Sequence, residues 1–356
     1  MANGDANFVP PSSALEFSWD CIGLTEFVDK ASENEIVPWG WDAVLKRRLM
    51  KDGVPESMLP SDAAIEEIRR LSHRRMAVAA GAQVNAALSG FSDLLRPASS
   101  VREVTDFDAV ISAVDEFGDA VLKAPLSGSG KGLRWARRGE LTQSDIGWCR
   151  NIIAKQGSLM VEKRLDIVRD FAMLFHISPQ GVRFEGLSLF FNDNGIYKGN
   201  VLASDSYILS ALAEFVPNEL MVNVKSVLIH FLEKEFVGRY EGYVGVDMFI
   251  YREPSSGGEG GGTVYRLAPV VEINVRMTMG LLARRVFDRQ MASPDSGFPP
   301  AIDGRYVMTV EFSPVPGVLY SRKFTSALTY INPSSRYAVV ITERVRSCLD
   351  FLKKVL

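Results

Sequence analysis

The stretch Pro269-Val270-Val271-Glu272-Ile273-Asn274-Val275-Arg276-Met277-Thr278-Met279-Gly280 decides how the rest of the chain is read. It is rich in β-branched residues and predicts a strand. Successive side chains on a strand point to opposite faces. Glu272, Asn274 and Arg276 are therefore expected on one face, and Val271, Ile273 and Val275 on the other. The second face reads as core. The first carries a carboxylate, an amide oxygen and a fixed cation in a row. Oxygen donors of this kind suit a hard cation such as Mg²⁺, which keeps waters and binds through one or two carboxylates together with phosphates. Arg276 beside it would complement phosphate or an anionic intermediate. Taken alone, the row is as well explained by a half-exposed strand with solvated polar residues.

Its companions weigh against that. Tyr243 to Tyr251 forms an apolar strand interrupted by Asp247, and a glycine-rich hairpin tip at residues 257–262 returns the chain through Val264. The hairpin folds Asp247 back beside Glu272 and Asn274. Two carboxylates brought together repel unless a cation or proton lies between them. Upstream, Ala120 to Pro125 is a strand whose lysine, Lys123, is costly in apolar surroundings unless its charge is paired, and phosphate oxygens would supply the partner. The loop Leu126-Ser127-Gly128-Ser129-Gly130-Lys131-Gly132 follows it. Its glycines either make a plain hairpin turn or let backbone N–H groups approach phosphates, with Lys131 adding charge. It is not a Walker A loop, because Pro125 and Gly132 stand where that motif needs Gly and Ser or Thr.

Around these motifs the pattern gives an amphipathic helix through Phe107, Val110, Ile111, Val114 and Phe117, stopped by Gly118. A strand follows from Leu133 to Arg137, then a helix from Gln143 to Lys155 ending at Gly157, then the strand Leu159 to Lys163. Phe171 to Ile177, Val182 to Phe191 and a return through Ile196 read as an antiparallel meander. A long helix covers Glu219 to Phe236. Nearer the start, a short strand at Glu35 to Trp39 precedes a helix from Trp41 to Lys51, and Ser61 caps a second helix. A third runs from Arg74 to Leu88. His73, Arg74 and Arg75 either touch a ligand or form a solvated basic turn, the second being preferred, and Arg96 to Ser100 reads as a linker. Trp39 and Trp41 either line a pocket or pack between domains. Tyr306 to Phe312 is a strand, and a C-terminal helix is expected after Pro333-Ser334, with Tyr337, Ile341, Val345, Cys348 and Leu352 on its stripe.

At 356 residues, with 47% hydrophobic and 23% charged residues, the chain supports a sizeable core and two or three structural units. A net charge of −3 gives no reason to expect nucleic acid. Cys21, Cys149 and Cys348 lie far apart without CxxC spacing, which argues for a reducing compartment. Without a signal peptide or a bilayer-spanning run, the expected home is the cytoplasm, away from membranes.

The order of these parts resembles the ATP-grasp superfamily, of the biotin carboxylase and D-alanine–D-alanine ligase type. The likeness rests on Val121-Leu122-Lys123-Ala124 with its loop, Leu159 to Leu165, Gly245 to Phe249 and Glu272 to Arg276. It implies mixed α/β and α+β architecture. Residues 1–105 would form a small N-terminal α/β domain, 106–161 a lid, 162–292 a larger antiparallel-sheet central domain, and 293–356 an extension packed on it. By the same resemblance ATP lies between lid and central domain. Lys123 would meet its phosphates, with Gly128, Ser129, Gly130 and Lys131 closing over them. Glu162, Lys163 and Leu165 would hold adenine, and Asp170 the ribose. Asp247, Glu272 and Asn274 would bind Mg²⁺, with Mn²⁺ as an alternative. Arg276 and Lys198 would serve the transferred phosphate. The implied reaction joins a carboxylate, activated as an acyl phosphate, to an amine or thiol, releasing ADP and phosphate. The alternatives are a small-molecule kinase on the same fold and a nucleotide-binding protein without turnover. The acid, the acceptor and the oligomeric state, a homodimer included, stay open.

Overall fold

In the strand Asp166–Ser178 (β5), Phe171, Met173, Phe175 and Ile177 enter the main hydrophobic core, while Ala172 and Leu174 join a separate cluster on the opposite face. The same alternation runs through Gly242–Pro254 (β8), where Val244, Val246, Met248 and Ile250 enter that core and Asp247 lies between them in sequence. Period-two patterning thus assigns one face of a sheet to packing and leaves the other for polar groups. The computed structural model describes residues 36, 38–128, 132–193, 195–255, 262–292, 303–304, 306–312, 325–330 and 337–343.

Three helices come first among these residues: Ala43–Lys51 (α1), Asp62–Leu71 (α2) and Arg75–Ala87 (α3). Asp42 caps α1 by accepting from the N–H groups of Val44 and Leu45, and Ser61 caps α2 at Ala64 as its sequence predicts. No strand lies between residues 38 and 100. The strand expected at Glu35 to Trp39 is not formed at Ile36, Pro38 or Trp39. The Trp39 carbonyl instead accepts a single bond from the Met277 N–H at 2.8 Å.

The small sheet contains Val101–Val104 (β1), Asp119–Lys123 (β2), Leu133–Arg137 (β3) and Leu159–Lys163 (β4), in the antiparallel order β1-β4-β2-β3. Helices Phe107–Phe117 (α4) and Gln143–Gln156 (α5) pack on it through Val110, Ala113, Val114 and Cys149. Thr142 and Asp145 form a capping box at the start of α5, and Gly157 ends it in the left-handed region at φ 83°.

The large sheet adds Gly181–Asp193 (β6), Ile196–Leu202 (β7), Thr263–Asn274 (β9), Tyr306–Phe312 (β10), Thr325–Tyr330 (β11) and Tyr337–Glu343 (β12). Its eight antiparallel strands run β11-β12-β10-β7-β6-β5-β8-β9. Helices Asp205–Leu212 (α6) and Asn218–Phe236 (α7) cover the core face, α7 through Leu220, Val224, Leu228 and Leu232, and α3 joins them through Ala77, Ala80 and Val84. Spacings of three and four along α7 produce that stripe. On the opposite face, Met279–Ala292 (α8) packs on β6 and β7. Among the described residues, no helix is long and apolar enough to cross a membrane.

Two expectations change here. Residues after Pro333 are not helical where described: Tyr337–Glu343 is β12, paired with both β10 and β11. The run Val339-Val340-Ile341-Thr342 is β-branched, and that preference wins over the helical spacing. The remaining positions of the expected helix lie outside the described residues. The deciding stretch also leaves its strand at Asn274, and Thr278 starts α8 by accepting from the Leu281 N–H.

Candidate active site

The β8–β9 hairpin builds the centre of the site. Asp247 and Glu272 are direct Cα partners in its register, and Gly245 pairs with Asn274. Partners of this kind sit about 4.5–5.5 Å apart at Cα and share a face. Beyond them the register shifts: Phe249 pairs with Ala268, so Pro269, Val270 and Val271 bulge opposite Met248. Proline, which has no N–H to give the ladder, is tolerated at such a place. The bulge also moves Val271 to the side of Phe249 and Tyr251, whereas Ile273 and Val275 enter the main core. The simple alternation expected for these three valines and isoleucines holds only past the bulge. Gly245 leaves room for Thr278, whose Cγ2 would lie 2.9 Å from an added Cβ.

The side chains are linked by hydrogen bonds and one ion pair. Asn274 Nδ2 donates to Asp247 Oδ2 at 2.9 Å, and Arg276 Nη2 donates to Asn274 Oδ1 at 2.9 Å. Arg74 Nη1 donates to Glu272 Oε2 at 2.9 Å. Burial, then the neighbouring charge of Glu272, pushes the Asp247 carboxyl up to about 7. Asp170 lies diagonally across β5 on the same face, and burial pushes it up to about 6.

On the small sheet, Lys123 Nζ lies 2.8 Å from Glu162 Oε1, and Arg96 Nη1 lies 3.1 Å from Glu162 Oε2. The partner that burial demands for Lys123 is therefore Glu162. Burial pulls the Lys123 ammonium down, while Lys123 and Arg96 outweigh burial at Glu162 and hold its carboxyl below the usual range. Arg96 also donates to the Val270 carbonyl and stacks over Phe249.

Among the other predicted residues, Gly128 is exposed, and a Cβ there would lie 3.7 Å from Arg276 Nη2. Ser129, Gly130 and Lys131 lie outside the described residues. Lys163 is exposed beside Glu253, and Leu165 packs near Phe249 and Tyr251. Together with Pro97, Ser99 and Phe117 they line a groove of about 320 Å³. Lys198 lies apart from the cluster: it sits near the β6–β7 turn, 3.8 Å from Asp193. Its strand is four strand positions from β9, about 19 Å at ~4.8 Å per strand.

Sequence reasoning missed Arg96, preferred a solvated turn for Arg74, and left Trp39 open between a pocket and domain packing. Arg74 is 7% exposed and His73 9%, so the basic turn is not solvated at those two residues. The signal was present, since Arg74 continues the spacing of Ala77, Ala80 and Val84 along the buried stripe of α3. Arg96 is 8% exposed, and it follows the apolar pair Leu94-Leu95 much as Lys123 follows Val121-Leu122. Gly40 packs against the Arg276 side chain, with an added Cβ only 3.1 Å from Arg276 Cβ.

Among the described residues, no group of three or more His, Cys, Asp and Glu could hold a metal by such ligands alone. Two carboxylates in register with an amide oxygen nevertheless fit a Mg²⁺ completed by waters and phosphates. The raised Asp247 carboxyl marks where a cation or proton is needed.

No family model and no curated protein matches the sequence. Solved structures match its fold. A biotin carboxylase–β,γ-ATP complex from Campylobacter jejuni aligns over 94% of this chain and 77% of its own, at 13% identity and a TM-score of 0.50. An N5-carboxyaminoimidazole ribonucleotide synthetase from Thermus thermophilus aligns over 94% and 86%, at 14% identity and a TM-score of 0.42. A protein ascribed to the ATP-grasp superfamily from Archaeoglobus fulgidus aligns over 85% and 73%, at 15% identity and a TM-score of 0.40. Two antiparallel sheets with mixed helices, together with the alignment to the biotin carboxylase structure, show that the chain has the ATP-grasp fold.

Proposed function

We propose that the protein is an ATP- and Mg²⁺-dependent ligase that activates a carboxylate as an acyl phosphate for attack by an amine or thiol. The observation that carries this is the pairing of Asp247 with Glu272, joined through Asn274 to Arg276 and through Arg74 to the strand end that bears Lys123. Asp247, Glu272 and Asn274 would hold the cation. Bound Mg²⁺ would supply charge neutralisation between the phosphates of the nucleotide.

The chain's own part is positioning and electrostatics. Lys123 is presented from a buried strand end toward the phosphates, with Glu162 as its counter-charge. Arg276 swings from Asn274 to the transferred phosphoryl group, which frees the amide oxygen. The substrate carboxylate attacks the terminal phosphorus and ADP leaves. The amine then attacks the acyl carbon, loses its proton and expels phosphate. Glu162, Lys163 and Leu165, with Asp170, are proposed to hold the nucleoside. The three dispersed cysteines make a reducing, cytoplasmic setting part of the same proposal.

The test is trapping with hydroxylamine across a panel of carboxylic acids, with ATP and Mg²⁺. An acid-dependent hydroxamate supports the ligase. A stable phosphorylated product without any amine would instead establish the kinase reading. Bound ATP with no turnover across the panel would refute both.

A further inference from the structure

Arg74 is the group at this site that no motif announces. Its backbone N–H donates to the Pro125 carbonyl at 3.1 Å, and its Nε donates to the Ala124 carbonyl at 3.1 Å. Nη2 reaches Ser127 Oγ at 3.4 Å, and Nη1 donates to Glu272 Oε2 at 2.9 Å. Three of these contacts fall on the chain just after Lys123, at the root of the glycine loop. The fourth falls on a proposed metal carboxylate in the other sheet. The residue sits immediately before α3, whose apolar stripe is buried against β9 and α7.

A guanidinium held by the Ala124 carbonyl, on a residue whose own backbone N–H is held by the Pro125 carbonyl at the start of a helix, has little freedom to leave. It is planar and presents several donors in a rigid fork, so it can hold one oxygen of a carboxylate and leave the other for a further partner. Carboxylates that bind metals are themselves commonly fixed by hydrogen bonds of this sort, and loss of such a bond weakens metal binding. The opposite effect is also physical: a fixed cation repels Mg²⁺. The rigid anchoring favours the first, because Arg74 removes the rotamer freedom of Glu272 without occupying both of its oxygens.

We propose that Arg74 is a positioning residue that holds Glu272 in its metal-binding orientation and ties it to the root of the glycine loop. This inference rests on the proposed function, since it needs Glu272 to bind the cation.

The test is Mn²⁺ binding to the full chain at saturating non-hydrolysable ATP analogue, with free Mn²⁺ read by electron paramagnetic resonance. Arg74→Gln is expected to weaken Mn²⁺ binding roughly 10- to 100-fold. The same substitution made on Glu272→Gln is expected to have almost no further effect, because Arg74 acts through that carboxylate. Where Arg74→Gln does not fold, Arg74→Lys replaces it. Lysine keeps a charge near Glu272 but lacks the fork that also reaches Ala124, so a loss of severalfold is expected. Unchanged or tighter Mn²⁺ binding in the Arg74 variants overturns the inference, as does an equal loss in the Glu272→Gln background. Failure of the unsubstituted chain to bind Mn²⁺ with the analogue is a different result, and it removes the proposed function itself.

Discussion

Replacing Glu162 by Gln removes one negative charge from between two buried cations and leaves the shape nearly unchanged. Glu162 is 6% exposed and Lys123 8%, so solvent cannot take over the role of counter-charge. Removing one partner of a buried pair typically costs about 3–5 kcal/mol, because the charge left behind is uncompensated. At roughly 2 °C per kcal/mol for a chain of this size, the melting temperature should fall by about 6–10 °C. Lys123→Met made together with Glu162→Gln should lose less than the sum of the two single losses, by at least about 1 kcal/mol. Arg96 keeps the Val270 carbonyl and the Phe249 ring in either case. The pH dependence has a definite sign. The folded Glu162 carboxyl lies below its ordinary 4.5, so its contribution is complete above that pH and is lost as pH falls through the folded value. The gap between parent and Glu162→Gln should therefore be full at pH 7.5 and shrink below pH 4.5. Urea and thermal unfolding at both ends measure it. Additive single and double losses, or a loss under about 0.5 kcal/mol for Glu162→Gln at pH 7.5, would refute the charge-compensation reasoning.

The Asp247 carboxyl is raised from 3.8 to about 7, so folding loses stability as pH rises from about 4 through about 7. Asp247→Asn should accordingly stabilise the ligand-free protein at pH 8, by on the order of 2 kcal/mol, with the gain gone near pH 4. The same variant should lose the Mn²⁺ binding that the unsubstituted chain shows with the ATP analogue. At Gly132 an added Cβ would lie 2.3 Å from Ser127 Cβ and Oγ, so Gly132→Ala should weaken nucleotide-dependent thermal stabilisation, and Ser127→Gly should restore part of it. Cys149 is buried and its thiol is pushed up to about 11, so native protein at pH 8 should leave it unalkylated by iodoacetamide until unfolded, as peptide mass mapping would show.

Much of this fold is written locally. Caps at Ser61 and glycine stops at Gly118 and Gly157 are short-range chemistry, and they occur where the sequence places them. The pairing of Asp247 with Glu272 was legible because one hairpin joins them. What the sequence hid depends on contacts between distant segments. Arg74 reaches Glu272 across 198 positions and Arg96 reaches Val270 across 174, and no period records such a partner. The bulge at Pro269 to Val271 was hidden for a related reason. It is a property of the pair of strands, and Val271 read alone continues a perfect alternation. Lys123 shows a third kind of limit. Burial correctly demanded an anion, but an anion supplied by the protein and one supplied by a ligand give the same sequence signal.

That last ambiguity says something about how the site works. Among the described residues, Arg74, Arg96, Lys123 and Arg276 stand against Asp170, Glu162, Asp247 and Glu272, and most are already joined in pairs. Among these eight residues cations and carboxylates are equal in number, so they set up little standing positive field to draw in a nucleoside triphosphate. The ligand's charge must arrive balanced by its own cations, or the pairs must be rearranged to meet it. Glu162 cannot leave its two cations without stranding both in an apolar interior. Arg276 can, because its partner is a neutral amide rather than a carboxylate. The same neutrality that keeps the cleft stable thus selects Arg276 as the mobile cation and Lys123 as the fixed one. It also makes the Asp247–Glu272 pair, the place where two carboxylates face each other across the hairpin, the point at which an incoming cation gains most.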